Sequence, residues 1–437
     1  MCIILFVTVG GSHQPIVTAI NSLKPDRVIF ICSDGAKGSK SQVIGAGTPC
    51  EVRKGQEVIE KLPNIPTQAN LGDRFQPERD LILLEQPDDL AECYQKISAT
   101  IQSIQQSADR ITLKADYTGG TKTMSAGLAM AAIDYGVEIF LTTGNRTDLV
   151  RVQRGEMTAQ TSVAEIQIQR TLDRFLPMVL EQYNYPAAVA ELTQLHTSMT
   201  IPKELRGKIQ SLCSICKGLD AWDRFDHLEA LALLQPYMKL KEIQPLVMFL
   251  KRAISSRGAI DAKFTPVDGT AGHGYEVIQD LLLNAERRAA QGRYDDAVGR
   301  LYRSLELLAQ IRLLKAYGLE TGDLDLAKLP EHLRDKYRDE SSKKIKIGLR
   351  KSYELLSQLD NDPIGQLYRH QEGKIIGALE IRNSSLFAHG FEPIVKQKYE
   401  KVFGSISDFI QAGIKAVDDS KFKSLPSQFP TSLTNVD

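Results

Sequence analysis

The feature that most constrains this chain is a change of hydrophobic period near Ser162. Before it, short apolar runs alternate with amphipathic stretches. Ile3–Val9 reads as a strand, followed by a glycine-containing turn and a helix from about Pro15 to Leu23. Arg27–Cys32, Leu81–Leu84, Arg110–Ala115 and Val137–Thr142 read as further strands, with helices over Asp88–Gln106 and Thr121–Tyr135. Apolar strands alternating with helices indicate βαβ units and a mostly parallel, Rossmann-like sheet. The Gly-, Pro- and polar-rich stretch from Ser33 to Arg79 reads as an irregular excursion. Beyond Ser162 strand signals vanish and a helical period takes over. Helices are expected over Arg170–Tyr183, Ala187–Leu195, Asp226–Leu234 and Gln244–Ile254. A linker over Phe264–Gly274 leads to an αα-hairpin, Tyr275–Gln291 and Tyr294–Tyr317, whose helices stop at Gly292 and Gly318. Gln371–His389 and Tyr399–Val417 close the helical half, and the Ser-, Pro- and Thr-rich segment after Lys421 reads as a disordered tail.

The fold class expected is therefore α/β followed by all-α. Its expected parts are a sheet domain over 1–157, a helical linker domain over 158–270, a helical domain over 271–421 and a tail over 422–437. A length of 437 residues is too much for one core, which agrees with several domains. Hydrophobic residues at 42% and charged residues at 25% exclude a disordered or fibrous chain. No apolar run approaches the roughly 20 residues of a membrane span. The run Cys2–Val9 lacks a basic leader and a cleavage site, so it reads as a buried strand and not a signal peptide. Lys plus Arg equals Asp plus Glu at 54 each, so no overall charge draws the chain to nucleic acid. Six scattered cysteines argue against a disulfide framework, and the cytoplasm is the expected compartment. Cys213 and Cys216 lack the second pair that a zinc site needs and read as small apolar residues on a helix.

Two loops each follow a strand and open a helix. One runs Thr8, Val9, Gly10, Gly11, Ser12, His13, Gln14, Pro15; the other Asp116, Tyr117, Thr118, Gly119, Gly120, Thr121, Lys122, Thr123. In an open parallel sheet both lie at the carboxyl edge, where ligands bind. Glycines let backbone N–H groups approach an anion, and the helix N-terminus adds a favourable dipole. Ser12, Thr118, Thr121 and Thr123 supply hydroxyls, and Lys122 supplies charge. Neither loop fits GxGxxG or a Walker A pattern. The plain alternative is a pair of ordinary βα turns with helix caps.

VTVGGSHQP followed by DYTGGTKTMSAGLAMAA resembles the CARF domain of CRISPR-associated accessory proteins. The resemblance covers about the first 155 residues. It implies that the domain dimerises and that both loops line a two-fold pocket for a cyclic oligoadenylate made by type III CRISPR complexes. The ligand-binding candidates are then Thr8, Gly10, Gly11, Ser12, His13, Gln14, Thr118, Gly119, Gly120, Thr121, Lys122 and Thr123. A ring of four adenylates is expected to be preferred over six.

In the helical half, Arg382 and His389 fall on one stripe if Gln371–His389 is a single helix, about 10 Å apart along its axis. Gly390 would cap that helix, and Asn383 would lie inside the apolar arc. An imidazole can move protons and a guanidinium can hold a phosphate. Together they suffice for cleavage of RNA by its own 2′-OH, without metal. A surface Arg and a capping His is the plain alternative. A basic run, Lys343, Lys344, Lys346, Arg350 and Lys351, reads first as a solvated helix face.

The pattern R-N-x5-H is similar to the HEPN ribonuclease signature, and YDDAVGRLYRSLELL from Tyr294 resembles that family's first helices. CARF followed by HEPN is the architecture of cyclic-oligoadenylate-activated CRISPR ribonucleases. The resemblance implies catalytic roles for Arg382, Asn383 and His389, a composite site between two protomers and a single-stranded RNA substrate. It also implies a homodimer or higher even oligomer, with no cofactor beyond the cyclic activator. The competing reading is a CARF regulator, or a nuclease of its own cyclic ligand, with a partner-binding helical half. The absence of a basic helix-turn-helix in the sequence weighs against the regulator.

Overall fold

The computed structural model describes residues 2–35, 38–54, 57–107, 111–143, 157–161, 164–198, 201–258, 260–261, 264–265, 267, 270, 272–338, 344–419, 421 and 425–433. The chain divides into two compact units. One comprises Met1–Arg170 and Thr197–Pro202, the other Thr171–His196 and Lys203–Asp437.

The strands of the first unit are β1 (Cys2–Thr8), β2 (Arg27–Ser33), β3 (Cys50–Lys54), β4 (Glu57–Leu62), β5 (Leu81–Leu84), β6 (Ile111–Asp116), β7 (Glu138–Thr143) and β8 (Met157–Thr161). Its long helices are α1 (Gln14–Leu23), α2 (Leu90–Ser107) and α3 (Lys122–Asp134). Six strands form one sheet in the order β5-β2-β1-β6-β7-β8. All neighbours are parallel except β7 and β8. Successive residues of β1 feed opposite faces. Leu5 and Val7 pack in a core with Ile16 and Ile20 of α1, while Ile4 and Phe6 pack with Ile97 of α2 and Leu128 of α3. Burial on both faces explains why these strands read as continuous apolar runs.

The stretch expected to be irregular holds a structured device. β3 and β4 pair as an antiparallel hairpin of their own. Its strand β4 is exposed along nearly its whole length, so no apolar alternation marks it in the sequence. The sheet also runs on past residue 157, because β8 pairs with β7 at its edge.

The second unit is helical: α4 (Lys203–Asp223), α5 (Gln244–Gly258), α6 (Glu276–Ala290), α7 (Tyr294–Tyr317), α8 (Leu349–Gln358), α9 (Pro363–Asn383) and α10 (Lys396–Val417), with further helices before and between them. Gly292 at φ 72° and Gly318 at φ 63° end α6 and α7 as expected. The main core gathers Ile278 and Leu282 of α6, Leu301, Leu305 and Leu308 of α7, and Phe409 and Ile410 of α10.

Charge is sealed into this unit. Arg287 is 0% exposed; it bonds Asp223 of α4 at 2.7 Å, and Asp223 also takes Arg288 and, at 2.9 Å, the Asn284 amide. Asp280, also 0% exposed, accepts from Trp222 Nε1 at 3.0 Å and meets His227 Nε2 at 2.8 Å. These bonds tie the helices before residue 270 to those after it, which places both sets in one unit. The expected tail is also held where it is described. Phe429 is 3% exposed, lies against the Trp222 ring at 4.8 Å and under the Arg287 guanidinium at 3.8 Å. Gln428 takes an Arg287 bond at 2.8 Å. An aromatic ring with a buried cation to cover outweighs the polar composition around it. No helix among the described residues is long and apolar enough to cross a membrane.

Candidate functional site

The sheet order reverses direction between β1 and β6. From β1 the chain winds outward to β2 and β5, and from β6 to β7. Such a switch point opens a crevice at the carboxyl ends of the strands. The loops after β1 and β6 are the two picked out by sequence, and the structure brings them together. Thr8 Oγ1 donates to the Gly119 carbonyl at 2.7 Å. A Cβ at Gly10 would meet the Gly120 nitrogen, and one at Gly119 would fall on the Thr8 carbonyl. Gly120 adopts φ 84°. These glycines therefore let one loop backbone pack on the other, as well as opening amides to the crevice.

Thr118 and Thr121, two of the four expected hydroxyl donors, are engaged within the protein. Thr121 caps α3 by accepting from Met124 N at 3.1 Å and donates to the Pro87 carbonyl at 2.9 Å. Thr118 Oγ1 accepts from Thr142 N at 2.7 Å. Ser12, Thr123 and exposed Lys122 hold no side-chain hydrogen bond to described residues, and Gly11 is exposed. Gln14 is half-buried at the start of α1. His13 is 3% exposed, with both ring nitrogens unpartnered, and burial pushes its imidazole pKa down. It is thus a neutral core group in this conformation, not an open anion contact.

Two contributors escaped the sequence reading. Asp116, 1% exposed, accepts from Thr118 N at 3.0 Å and from Thr142 Oγ1 at 2.8 Å, so it shapes the second loop from below. Burial pushes its carboxyl pKa up. Its position at the strand end before Thr-Gly-Gly-Thr was the available signal. Gln42 donates to the Gly10 carbonyl at 2.6 Å from the segment between β2 and β3, where no pattern pointed to it.

The Arg382–His389 arrangement differs from the expected single helix. α9 ends at Asn383, with Ser384 as its cap residue. The chain then doubles back. Ser385 N–H bonds the Arg382 carbonyl at 3.1 Å, His389 N–H the Asn383 carbonyl at 3.3 Å, and Gly390 N–H the Ser385 carbonyl at 3.1 Å. The cause is local: Asn383, Ser384 and Ser385 in succession compete for backbone hydrogen bonds and weaken the helix. Ser384 Oγ returns a bond to the Ile381 carbonyl at 2.9 Å. Gly390 is not a helix cap; a Cβ there would collide with the Ser384 backbone. The axial separation of about 10 Å therefore does not apply, because the turn carries His389 back to the end of α9. Asn383 and His389 are exposed and Arg382 is half-buried, so Asn383 lies outside any apolar arc.

Arg382 has no carboxylate ion partner among the described residues. Its guanidinium lies 4.3 Å from the centroid of the Tyr302 ring, and its Nη1 donates to Asn383 Oδ1 at 3.2 Å. The guanidinium keeps N–H donors unspent within the described residues, and a guanidinium fork of this kind suits a phosphate oxygen pair. Of the basic run, Lys343 lies outside the described residues, while Lys344 pairs with Asp323 at 3.1 Å and Arg350 with Glu354 at 3.1 Å. Those pairs fit a solvated face.

Residues 270–412 match the family model described as the Csm6 HEPN domain, and the Arg382–His389 turn lies inside that match. The structure of Enterococcus italicus Csm6 bound to cyclic hexa-2′-fluoro-hexa-dAMP superposes with a TM-score of 0.60 at 11% sequence identity, covering 97% of this chain and 96% of that one. A type III CRISPR defence DNA nuclease activated by cyclic oligoadenylate aligns over 51% of this chain and 34% of that one, at 14% identity and a TM-score of 0.22, too low for a shared fold. Curated proteins give no match. The chain thus has a Csm6-like fold, a mostly parallel sheet unit followed by a helical unit, and residues 270–412 of the helical unit match the Csm6 HEPN domain.

Proposed function

We propose that the protein is a metal-independent endoribonuclease of type III CRISPR defence, switched on by a cyclic oligoadenylate and acting on single-stranded RNA. The observation that carries this reading is the closed turn that bonds the His389 backbone to Asn383, the residue after Arg382, within the segment matching the Csm6 HEPN domain. In the reaction the RNA 2′-OH attacks the adjacent phosphorus and the P–O5′ bond breaks, leaving a 2′,3′-cyclic phosphate and a 5′-OH. His389 moves the proton, and Arg382 holds the non-bridging oxygens as their charge grows. Asn383 donates or accepts beside them. Two copies meeting across a two-fold axis would pair such turns in one cleft, and the same symmetry would join two sheet-edge crevices around a symmetric ring. The ring would be held by loop amides, Ser12, Thr123 and Lys122.

The sequence expectation ranks four adenylates above six, whereas the ligand of Enterococcus italicus Csm6 has six. No residue described above discriminates between them, and competition between the two rings ranks them directly. The test of the function is fluorescent single-stranded RNA incubated in EDTA with cyclic tetra- or hexa-adenylate. Cleavage is expected only with a ring present. His389→Ala should slow it about 10²–10⁴-fold with ring affinity unchanged. Cleavage that stops in EDTA and returns with a divalent metal would refute the mechanism.

A further inference from the structure

One face of α7 touches both ends of the Arg382–His389 turn. Asp295, in its first turn, accepts the Ile394 N–H through Oδ2 at 3.0 Å, fixing the chain where it leaves the turn. Tyr302, about two helical turns further along the same face, lies under the Arg382 guanidinium at the end of α9. The Tyr302 ring is half-buried against the main core, so it is a fixed platform. Its chemistry is also selective. A carboxylate in that position would orient the guanidinium but neutralise it and compete with a phosphate for its N–H donors. An aromatic face attracts the cation through its quadrupole while leaving the in-plane N–H fork free.

We propose that Tyr302 is the positioning residue for Arg382, holding its guanidinium edge-on to the substrate phosphate without neutralising it. This rests on the ribonuclease reading above for its consequence in catalysis, although the orientation itself is measurable without any reaction. Tyr302→Leu keeps an apolar side chain but removes the ring face. Tyr302→Phe keeps the face and removes only the hydroxyl.

With the full chain, RNA and activating ring, Tyr302→Leu should lower kcat roughly tenfold with little change in KM. Tyr302→Phe should stay within about twofold of the parent. The independent readout is the NMR spectrum of the full chain labelled with ¹³C-arginine, with Arg382 assigned by its loss in Arg382→Lys. Ring current should move the Arg382 side-chain resonances upfield in the parent and in Tyr302→Phe. If Tyr302→Leu fails to fold, the parent and Tyr302→Phe spectra still decide the point. Unshifted Arg382 resonances, or a folded Tyr302→Leu that cleaves at the parent rate, would overturn the proposal. If the parent shows the shift but never cleaves RNA, the orientation stands and the ribonuclease reading falls.

Discussion

The crevice loops and the Arg382–His389 turn both depend on a glycine that lets backbone meet backbone, but over very different spans. Gly10 and Gly119 join loops more than a hundred residues apart in the chain, Thr8 spends its hydroxyl holding that junction, and Thr121 spends its own capping α3 and bonding Pro87. Gly390 closes on Ser384 within one short turn and leaves Asn383 and His389 exposed. The first site is part of the architecture of its unit. The second is a surface feature that gives the main core no apolar residue of its own. Mutations in the first should therefore be read as stability and in the second as activity.

The widest separation should come from the glycines. Gly390→Ala should cut RNA cleavage at least about a hundredfold, by displacing His389, while its melting temperature stays near that of the parent. Gly119→Ala should destabilise the sheet unit by about 1–3 kcal/mol, because the new Cβ meets the Thr8 carbonyl and not a yielding side chain. Urea unfolding and cleavage assays on both variants test this; equal destabilisation by the two would break the comparison. A smaller contrast lies within the second loop. Thr121→Ala should cost about 1 kcal/mol as a lost helix cap, whereas Thr123→Ala should leave stability unchanged and weaken ring binding in calorimetry.

The smallest effect concerns His13. Its burial lowers the folded-state pKa, so below the ordinary histidine value of about 6.5 the unfolded chain binds the proton more readily. The stability this neutral ring permits is intact above that value and erodes as pH falls toward the lowered one. Both ring nitrogens are unpartnered, so His13→Leu sacrifices no hydrogen bond. Melting curves at pH 7 and pH 5.5 should show a shallower loss for His13→Leu than for the parent. A steeper loss in the variant contradicts this account.

How much of this was legible in sequence follows the same division. The parallel strands carry double-faced apolar runs, and the αα-hairpin carries its stop glycines, so both were readable from period and turn chemistry. The crevice was readable because both loops follow strands that meet at the switch point. The uses of the loop residues were not, since a hydroxyl that caps a helix and one that meets a ligand look alike in sequence. Arg382, Asn383 and His389 stand out as residue types, but the single helix expected over Gln371–His389 carried its period through Asn383-Ser384-Ser385, where backbone competition ends the helix. Gln42 and the exposed hairpin left no period at all. Phe429 was hidden because a single aromatic in a polar stretch gives no sign of the cation it will cover.

The seat of Phe429 has a consequence for the order in which the protein assembles. Residues 287 and 428 are 141 positions apart, so their contact closes a long chain loop that local helix pairing does not require. α6 and α7 can zip together early, as neighbours in the chain. Until residues 428–429 have left the ribosome, the Arg287 guanidinium has salt bridges but no aromatic cover. Trp222 is the one tryptophan in the sequence and touches the same ring, so its fluorescence reports when that late seat is filled.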